Sequence, residues 1–143
     1  MPLVVIPTPI GNLEDISFRA IRVLKSVHVI AAEDTRMTRK LLNHFDIHTP
    51  LVSFHQHSNQ NKSAELISRL LSGNNIALVT DAGMPTVSDP GYRAIRLAID
   101  KGSVLTVLPG PSAVTTALAL SGLATDRFSF DGFPPRSDVS RKS

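Results

Sequence analysis

The apolar run IALVT at residues 76–80 leads directly into the loop DAGMPTVSDPG at residues 81–91, and these two stretches are the most informative part of the sequence. An apolar run without alternation is typical of a strand whose two faces are both covered by helices. A plain connection from such a strand to a helix needs about 2–6 residues. This loop is eleven residues long and holds two acids, two prolines and two glycines. Its length and composition predict a loop that is shaped around a ligand.

The same alternation of apolar runs and amphipathic segments extends along the chain in both directions. The predicted strands are Leu3–Ile6, Val27–Ala32, Leu51–Phe54, Ile76–Thr80 and Val104–Leu108. The predicted helices are Ser17–Ser26, Thr35–Phe45, Lys62–Ser72, Asp89–Lys101 and Ser112–Ser121. Strands that alternate with helices predict an α/β fold: a doubly wound, mostly parallel five-stranded sheet with helices on both faces and right-handed crossovers.

Glycines follow many of these predicted elements. Gly11, Gly83 and Gly110 each follow a strand, at the carboxyl edge where open α/β sheets bind ligands. Tight turns also need glycine for conformational reasons, but three such loops, each rich in proline, favour a shared pocket. Three other glycines follow predicted helices, where a left-handed residue can cap the last turn: Gly73, Gly102 and Gly122.

The loop after the second strand is AEDTR at residues 32–36. An acid at this point can accept hydrogen bonds from a ribose, as in dinucleotide-binding folds. Asp34 or Thr35 can equally cap the next helix. Capping explains one acid but not the pair Glu33-Asp34 followed by Arg36. We therefore expect a role in binding, with the substrate favoured over the cofactor.

Three other loops carry weaker signals. Residues 7–12, PTPIGN, match neither glycine-rich phosphate-binding motif, so dinucleotide and triphosphate sites of those types are unsupported. His55 and His57 follow the third strand without an evident third metal ligand, and we expect no metal site. Ser112 follows the fifth strand, where it can cap the last helix or donate to a ligand.

The composition limits the class of protein. With 42% apolar and 19% charged residues the chain can bury a core, and its net charge of +3 is compatible with an RNA partner without requiring one. The absence of cysteine excludes disulfides, thiol nucleophiles and zinc–thiolate sites. The amino terminus does not resemble a signal peptide, and no stretch approaches the roughly 18 apolar residues of a membrane span. We expect a soluble, cytoplasmic protein that has no membrane partner.

The pattern changes after Gly122. Phe128 and Phe130 alternate with polar residues, which predicts an edge strand, and a polar, proline-containing linker follows. We expect one α/β domain over residues 1–127, with residues 128–143 leading towards a carboxyl-terminal domain that this chain lacks. On this interpretation the chain is part of a longer protein.

Taken in order, these stretches resemble the tetrapyrrole methylase superfamily, and within it the branch that acts on 16S ribosomal RNA. The resemblance covers nearly the whole chain and rests on an ordered set of short motifs. They are TPIGN at residues 8–12, AEDTR at 32–36, SFH at 53–55, DAGMPTVSDPG at 81–91, PGPSA at 109–113, SGL at 121–123 and FDGFPP at 130–135. Met84 and Pro134 depart from the branch, in which threonine and leucine are common at these positions.

The resemblance implies the amino-terminal domain of a class III methyltransferase, an enzyme that binds S-adenosyl-L-methionine and methylates the 2′-hydroxyl of a cytidine in 16S rRNA of the small ribosomal subunit. It also implies a homodimer whose cofactor lies in a cleft between two domains. A chain with one wall of that cleft is expected to have little activity. The resemblance places these residues at the cofactor: Pro7, Asp81, Ala82, Gly83, Met84, Pro85, Val87, Ser88, Ser112 and Ala113.

Methyl transfer needs a positioned hydroxyl and gains from a base that takes the hydroxyl proton. The sequence does not choose a base among Glu33, Asp34 and Asp81, and the base can also lie outside this chain. Two other functions stay open: methylation of a small molecule or a modified protein residue within the same superfamily, and a non-catalytic dimerisation or RNA-binding module. The residues expected to contact RNA phosphates are Arg36, Arg39 and Lys40.

Overall fold

The computed structural model describes residues 2–54, 60–85 and 91–135, and the chain divides into two compact units, Met1–Ala113 and Val114–Ser143. The strands of the first unit are β1 (Leu3–Val5), β2 (Val29–Ala32), β3 (Leu51–Ser53), β4 (Ile76–Val79) and β5 (Leu105–Val107). All pair in parallel, in the order β3-β2-β4-β1-β5. The five predicted strands are confirmed, each one or two residues shorter than its apolar run.

Helices connect the strands as the sequence predicts. They are α1 (Phe18–Ser26), α2 (Thr35–His44), α3 (Gln60–Leu71) and α4 (Gly91–Asp100), with α5 (Ala113–Leu120) after β5. A short 3-10 helix, Leu13–Asp15, lies between β1 and α1. The predicted α/β class with a parallel five-stranded sheet is confirmed.

Each face of the sheet has its own apolar core, because successive residues of a strand point to opposite faces. Val4 and Ile30 pack with residues of α1 and α2 on one face. Leu3 and Val29 pack with residues of α3 and α4 on the other. Every residue of β1, β2 and β4 is buried, which is why these segments are continuously apolar in sequence.

The order of the strands determines where a ligand can enter. The chain moves one way along the sheet from β1 through β2 to β3, with α1 and α2 on one face. It returns from β3 through β4 to β5 with α3 and α4 on the other face, so all four crossovers have the same hand. The chain therefore leaves β4 towards one face and leaves both neighbours of β4 towards the other. Such divergent connections open a crevice at the carboxyl ends of the strands, where α/β sheets bind ligands.

Capping residues fix the helix ends much as predicted. Ser17 caps α1 by accepting a hydrogen bond from a backbone N–H of the first turn at 3.0 Å. Asp89, where the sequence predicts the fourth helix to begin, lies outside the described residues. The three glycines predicted to be left-handed have φ of +95°, +70° and +71°, in the order Gly73, Gly102 and Gly122.

In the second unit, α5 is followed by residues 121–135, which are neither helix nor strand. The edge strand predicted over Phe128 and Phe130 is therefore wrong. A strand forms only when its backbone groups pair with another strand, and nothing in the described part of the chain pairs with residues 128–130. Phe130 instead packs edge to face with Phe133, with ring centroids 5.8 Å apart. The predicted domain boundary after residue 127 stays a prediction.

Candidate functional site

A short antiparallel bridge joins the loops that follow β1 and β4. Thr8 N–H donates to Gly83 O at 3.1 Å, and Gly83 N–H donates to Thr8 O at 2.9 Å. The hydroxyl of buried Thr8 also donates to Thr80 O at 3.3 Å. Because β1 and β4 are neighbours whose chains leave to opposite faces, the bridge fixes two loops at the crevice.

Gly83 is required by its own backbone and by its neighbours. Its φ of +77° is a conformation that side chains disfavour. A Cβ there would lie 3.3 Å from Ile10 Cγ2 and 3.7 Å from Pro111 O. These protein atoms account for the glycine without a ligand, so the role of Gly83 in cofactor binding stays a prediction.

Gly110, in the loop after β5, lies against the ring of Pro7 in the loop after β1. A Cβ on Gly110 would overlap Pro7 Cγ and would lie 3.1 Å from Pro7 Cβ. These are ring atoms of a buried proline, so rotation cannot relieve the overlap. The glycine therefore sets the spacing between the two loops.

We expect Gly110→Ala to lower the free energy of unfolding by about 1–3 kcal/mol, the usual cost of overpacking. Denaturant unfolding of Gly110→Ala, Pro7→Ala and the double variant measures this. Because Pro7→Ala removes the overlapping Cγ, the loss in the double variant should be smaller than the sum of the two single losses. Additive losses would show that the ring and the added methyl do not meet.

Asp34 joins the loop after β2 to the loop after β4. Its backbone N–H donates to Asp81 Oδ1 at 3.0 Å. Its carboxylate caps α2 by accepting from Arg36 N at 2.9 Å, and it accepts from the Arg36 side chain at 3.3 Å. The side-chain hydrogen bond from Arg36, followed by the backbone one, lowers the pKa of Asp34. The capping interpretation is confirmed for Asp34, and a carboxylate engaged in this way is a poor proton acceptor.

The other predicted acids and bases are spread over the same edge. Glu33 is half-buried and Asp81 is exposed. The Arg36 side chain is 88% exposed and pairs with the Asp34 carboxylate. Lys40 lines a cavity together with Asp81, whereas Arg39 lines a separate cavity beside the start of β3. The structure thus brings Lys40 and Asp81 together and leaves Arg39 apart from them.

The cavity shared by these two residues, which we call the crevice cavity, has a volume of about 290 Å³. It lies between the loop after β1, one face of α2 and the end of β4. The sequence analysis missed most of its lining, although the helical spacing of residues 37, 40 and 41 places them on one face of α2. The lining residues are Thr8, Pro9, Gly11, Asn12, Leu13, Met37, Thr38, Lys40, Leu41, Thr80 and Asp81.

The residues predicted to hold the cofactor form a second group at the same edge. Within the described part of the chain, the backbone N–H groups of Ser112 and Ala113 make no hydrogen bond. The turn into α5 can therefore offer two donors to an anionic group. Val87 and Ser88 lie outside the described residues, as do His55 and His57. Of the described members, Pro7, Gly83 and Pro85 are buried, Met84 and Ser112 are half-buried, and Asp81, Ala82 and Ala113 are exposed.

None of the helices in the described part of the chain has the length and apolar character of a membrane span. The described residues also contain no group of three or more histidines, cysteines, aspartates or glutamates placed to hold a metal ion.

These features define a class of protein: an open α/β domain in which loops gather at the carboxyl edge of a parallel sheet, the edge where such sheets bind ligands. Solved structures share the fold. Diphthine synthase has a TM-score of 0.69 at 20% identity, over 89% of this chain and 51% of that one. Uroporphyrin-III-C-methyltransferase from Thermus thermophilus has a TM-score of 0.64 at 23% identity, over 87% of this chain and 58% of that one. At these identities the likeness shows the fold alone.

The sequence model of the tetrapyrrole (corrin/porphyrin) methylases matches residues 2–131, and the chain belongs to this family. Relatives named Ribosomal RNA small subunit methyltransferase I are 54% identical in Halalkalibacterium halodurans, 51% in Bacillus subtilis and 49% in Escherichia coli O157:H7. Each match covers 98% of this chain and 48%, 48% and 49% of the relative, respectively. The chain therefore spans about half the length of these relatives.

Proposed function

We propose that the protein transfers a methyl group from S-adenosyl-L-methionine to a cytidine 2′-hydroxyl in 16S rRNA, and that this chain forms the amino-terminal half of the enzyme. The observation that carries the proposal is the identity of about half of its residues to three relatives named Ribosomal RNA small subunit methyltransferase I. The matches cover 98% of the chain, so they include the loops of the candidate site. Such a substrate places the protein in the cytoplasm.

The loops fit this cofactor chemically. S-adenosyl-L-methionine, when bound, supplies an activated methyl group. The backbone N–H groups of Ser112 and Ala113 are suited to its carboxylate. The exposed carboxylate of Asp81 is suited to its hydroxyl or ammonium groups. Since the Gly83 backbone lies against Pro111, the loops that carry these groups approach each other at one edge.

Asp81 is the acid that we assign to the hydroxyl proton. A base in hydrogen-bond reach of the 2′-hydroxyl is what this reaction needs from the protein. Both oxygens of the Asp34 carboxylate are bonded to Arg36. Asp81, by contrast, lines the crevice cavity and is held through one oxygen by the backbone of Asp34. The cavity and the predicted cofactor residues share Asp81, which therefore lies where a substrate and the cofactor would meet.

We also propose that the protein is a homodimer, as the family resemblance implies. Leu71 and Tyr92, each 63% exposed, line one groove between α3 and α4 together with Ile67 and Leu97. A contiguous exposed apolar surface of this kind marks a site of association. Light scattering at high micromolar concentration should give twice the mass of the chain, and a monomer throughout would contradict the dimer.

The methyltransferase proposal is tested with full-length protein, S-adenosyl-L-methionine carrying a radiolabelled methyl group, and purified ribosomal subunits. We expect label in the RNA of small subunits and none in large subunits. A methyl group on a ribose 2′-oxygen blocks alkaline cleavage of the adjacent phosphodiester, so the label should be recovered in an alkali-resistant dinucleotide. Label on a base, on protein or in large subunits would contradict the proposal. Cofactor titration by calorimetry separates an enzyme from a non-catalytic module, because a module would show no heat of binding.

A further inference from the structure

The crevice cavity lies where the topology leaves a gap. The chain leaves β1 and β2 towards one face, while β4, which lies between them, sends its chain to the other face. The space above the end of β4 is therefore bounded on one side by the loop after β1 and on the other by α2. A crevice formed in this way is the usual ligand site of an open α/β sheet.

Thr38, which lines the cavity from α2, has a buried hydroxyl without a partner. The residue is 3% exposed, and its Oγ1 makes no hydrogen bond within the described part of the chain. A threonine inside a helix can bond the carbonyl four residues before it. Here the Thr38 backbone N–H donates to the Asp34 carbonyl at 3.1 Å, and the hydroxyl does not. Buried polar groups are nearly always paired, so an unpaired one on a residue that lines a cavity points to a ligand group.

The rest of the lining describes that ligand. Pro9 and Leu13 on the loop, with Met37 and Leu41 on α2, give two apolar walls suited to the faces of a flat ring. The Lys40 ammonium offers a positive charge to a phosphate. The volume of about 290 Å³ is at the lower end of the range for small-molecule sites, which is about 300–1,000 Å³.

We propose that the crevice cavity holds one nucleotide of the RNA strand, unstacked from its neighbours, with Thr38 Oγ1 bonding the polar edge of the base. This inference rests on the proposed function, which supplies the RNA. Enzymes that modify a base take its nucleotide out of the stack and bind it between aromatic or apolar side chains, and an enzyme that modifies the ribose can use the same arrangement. Because Asp81 lines the same cavity, the ribose of the bound nucleotide would lie beside the acid assigned to its proton.

The test is Thr38→Val in the full-length protein, which removes the hydroxyl and nearly keeps the shape. Since an unpaired buried hydroxyl is unfavourable, the variant without RNA should melt about 2–4 °C higher. The KM for small ribosomal subunits should rise roughly three- to tenfold, while the KM for S-adenosyl-L-methionine should not change. A KM for subunits equal to that of the wild type would overturn the inference, whether the melting temperature rises or falls.

Two controls and a second variant sharpen the test. Thr106→Val, on β5 and outside the cavity, should leave the KM for subunits unchanged. Lys40→Gln changes an exposed side chain of the cavity lining. It should raise the same KM and reduce the slope of log KM against log salt by about 1. Lys25→Gln, at the end of α1, should change neither quantity, and equal effects of the two lysine variants would count against the cavity.

Failure of the proposed function is distinguishable from failure of this inference. If the wild type transfers no methyl group to small subunits, the proposed function fails. The inference is then decided by titration with cytidine 5′-monophosphate, followed by NMR. Shifts of the amide signals of residues 37–41 that disappear in Thr38→Val would support a nucleotide site. Their absence in the wild type would overturn it.

Discussion

Asp81→Asn is expected to lower the kcat of methyl transfer by about 10²–10⁴-fold, the contribution that a general base makes. The amide cannot take up the proton of the ribose hydroxyl. Its Oδ1 can still accept the hydrogen bond from Asp34 N–H that joins the loops after β2 and β4 at 3.0 Å. The variant therefore removes the base and keeps the contact, so the KM for RNA should change much less than kcat.

The matched control for this prediction is Asp46→Asn. Asp46 is two residues beyond the end of α2, so it lies towards the amino edge of the sheet, opposite the candidate site. Its φ of +55° is one that asparagine adopts readily. The change removes one negative charge, as Asp81→Asn does, and should leave kcat unchanged. A kcat of Asp81→Asn within twofold of the wild type would place the base elsewhere, and Glu33→Gln is then the next variant to measure.

The secondary structure could be predicted because its signals are local. The run of residues 76–79 is buried on both faces of the sheet, so it is apolar at every position. Helices elsewhere in the chain begin at polar caps, such as Asp34, and several end at left-handed glycines, such as Gly102. These features are set within a few residues, so a sequence is enough to read them.

The strand order could not be predicted from those signals. The residues in and around β4 do not indicate whether this strand pairs with β1 and β2, as it does, or with β3 or β5. The same limit applies to the contact of Asp34 N–H with Asp81, which are 47 residues apart. This limit also explains why the edge strand predicted over Phe128 and Phe130 is wrong. Alternation of apolar and polar residues is compatible with a strand, but it does not show whether a partner strand is present.

The two glycines of the site lie at the predicted edge of the sheet, but contacts within the protein are enough to explain why they are glycines. Gly110 follows a strand in a proline-rich loop, and this position predicts a ligand nearby. The structure gives a reason inside the protein: the ring of Pro7 occupies the space that a Cβ would need. Gly83 is similar, with Ile10 and Pro111 beside it. Loop packing and ligand binding both favour glycine at these two positions. A sequence alone therefore cannot show which of the two causes applies.

Thr38 was missed because its surroundings come from distant parts of the chain. Within α2 it is an ordinary helical position, four residues after the cap. Its burial depends on the packing of the β1 loop and the end of β4 against the helix. A helical wheel shows that it shares a face with Leu41 and Leu42, and not that its hydroxyl has no partner among the described residues.

The 143-residue chain on its own should transfer methyl groups to small ribosomal subunits at least about 10²-fold more slowly than the full-length Bacillus subtilis relative, of which it spans 48%. Ligand pockets bury about 70–90% of the surface of a drug-sized ligand. In this chain, three of the described residues predicted to hold the cofactor are exposed: Asp81, Ala82 and Ala113. A cofactor held from one side alone would be bound weakly and oriented poorly. Misplacement of a reacting group by about 1 Å is enough to cost roughly 10²-fold in rate.

The measurement compares the two proteins at equal concentration with radiolabelled cofactor and the same small subunits. Calorimetric titration with S-adenosyl-L-methionine should show weak or undetectable binding to the 143-residue chain, so that low affinity and low turnover occur together. A cooperative thermal transition of the chain is the necessary control, because an unfolded chain would also be inactive. If a folded chain matched the rate of the longer relative, a cofactor cleft with a second wall would be the wrong description of this site.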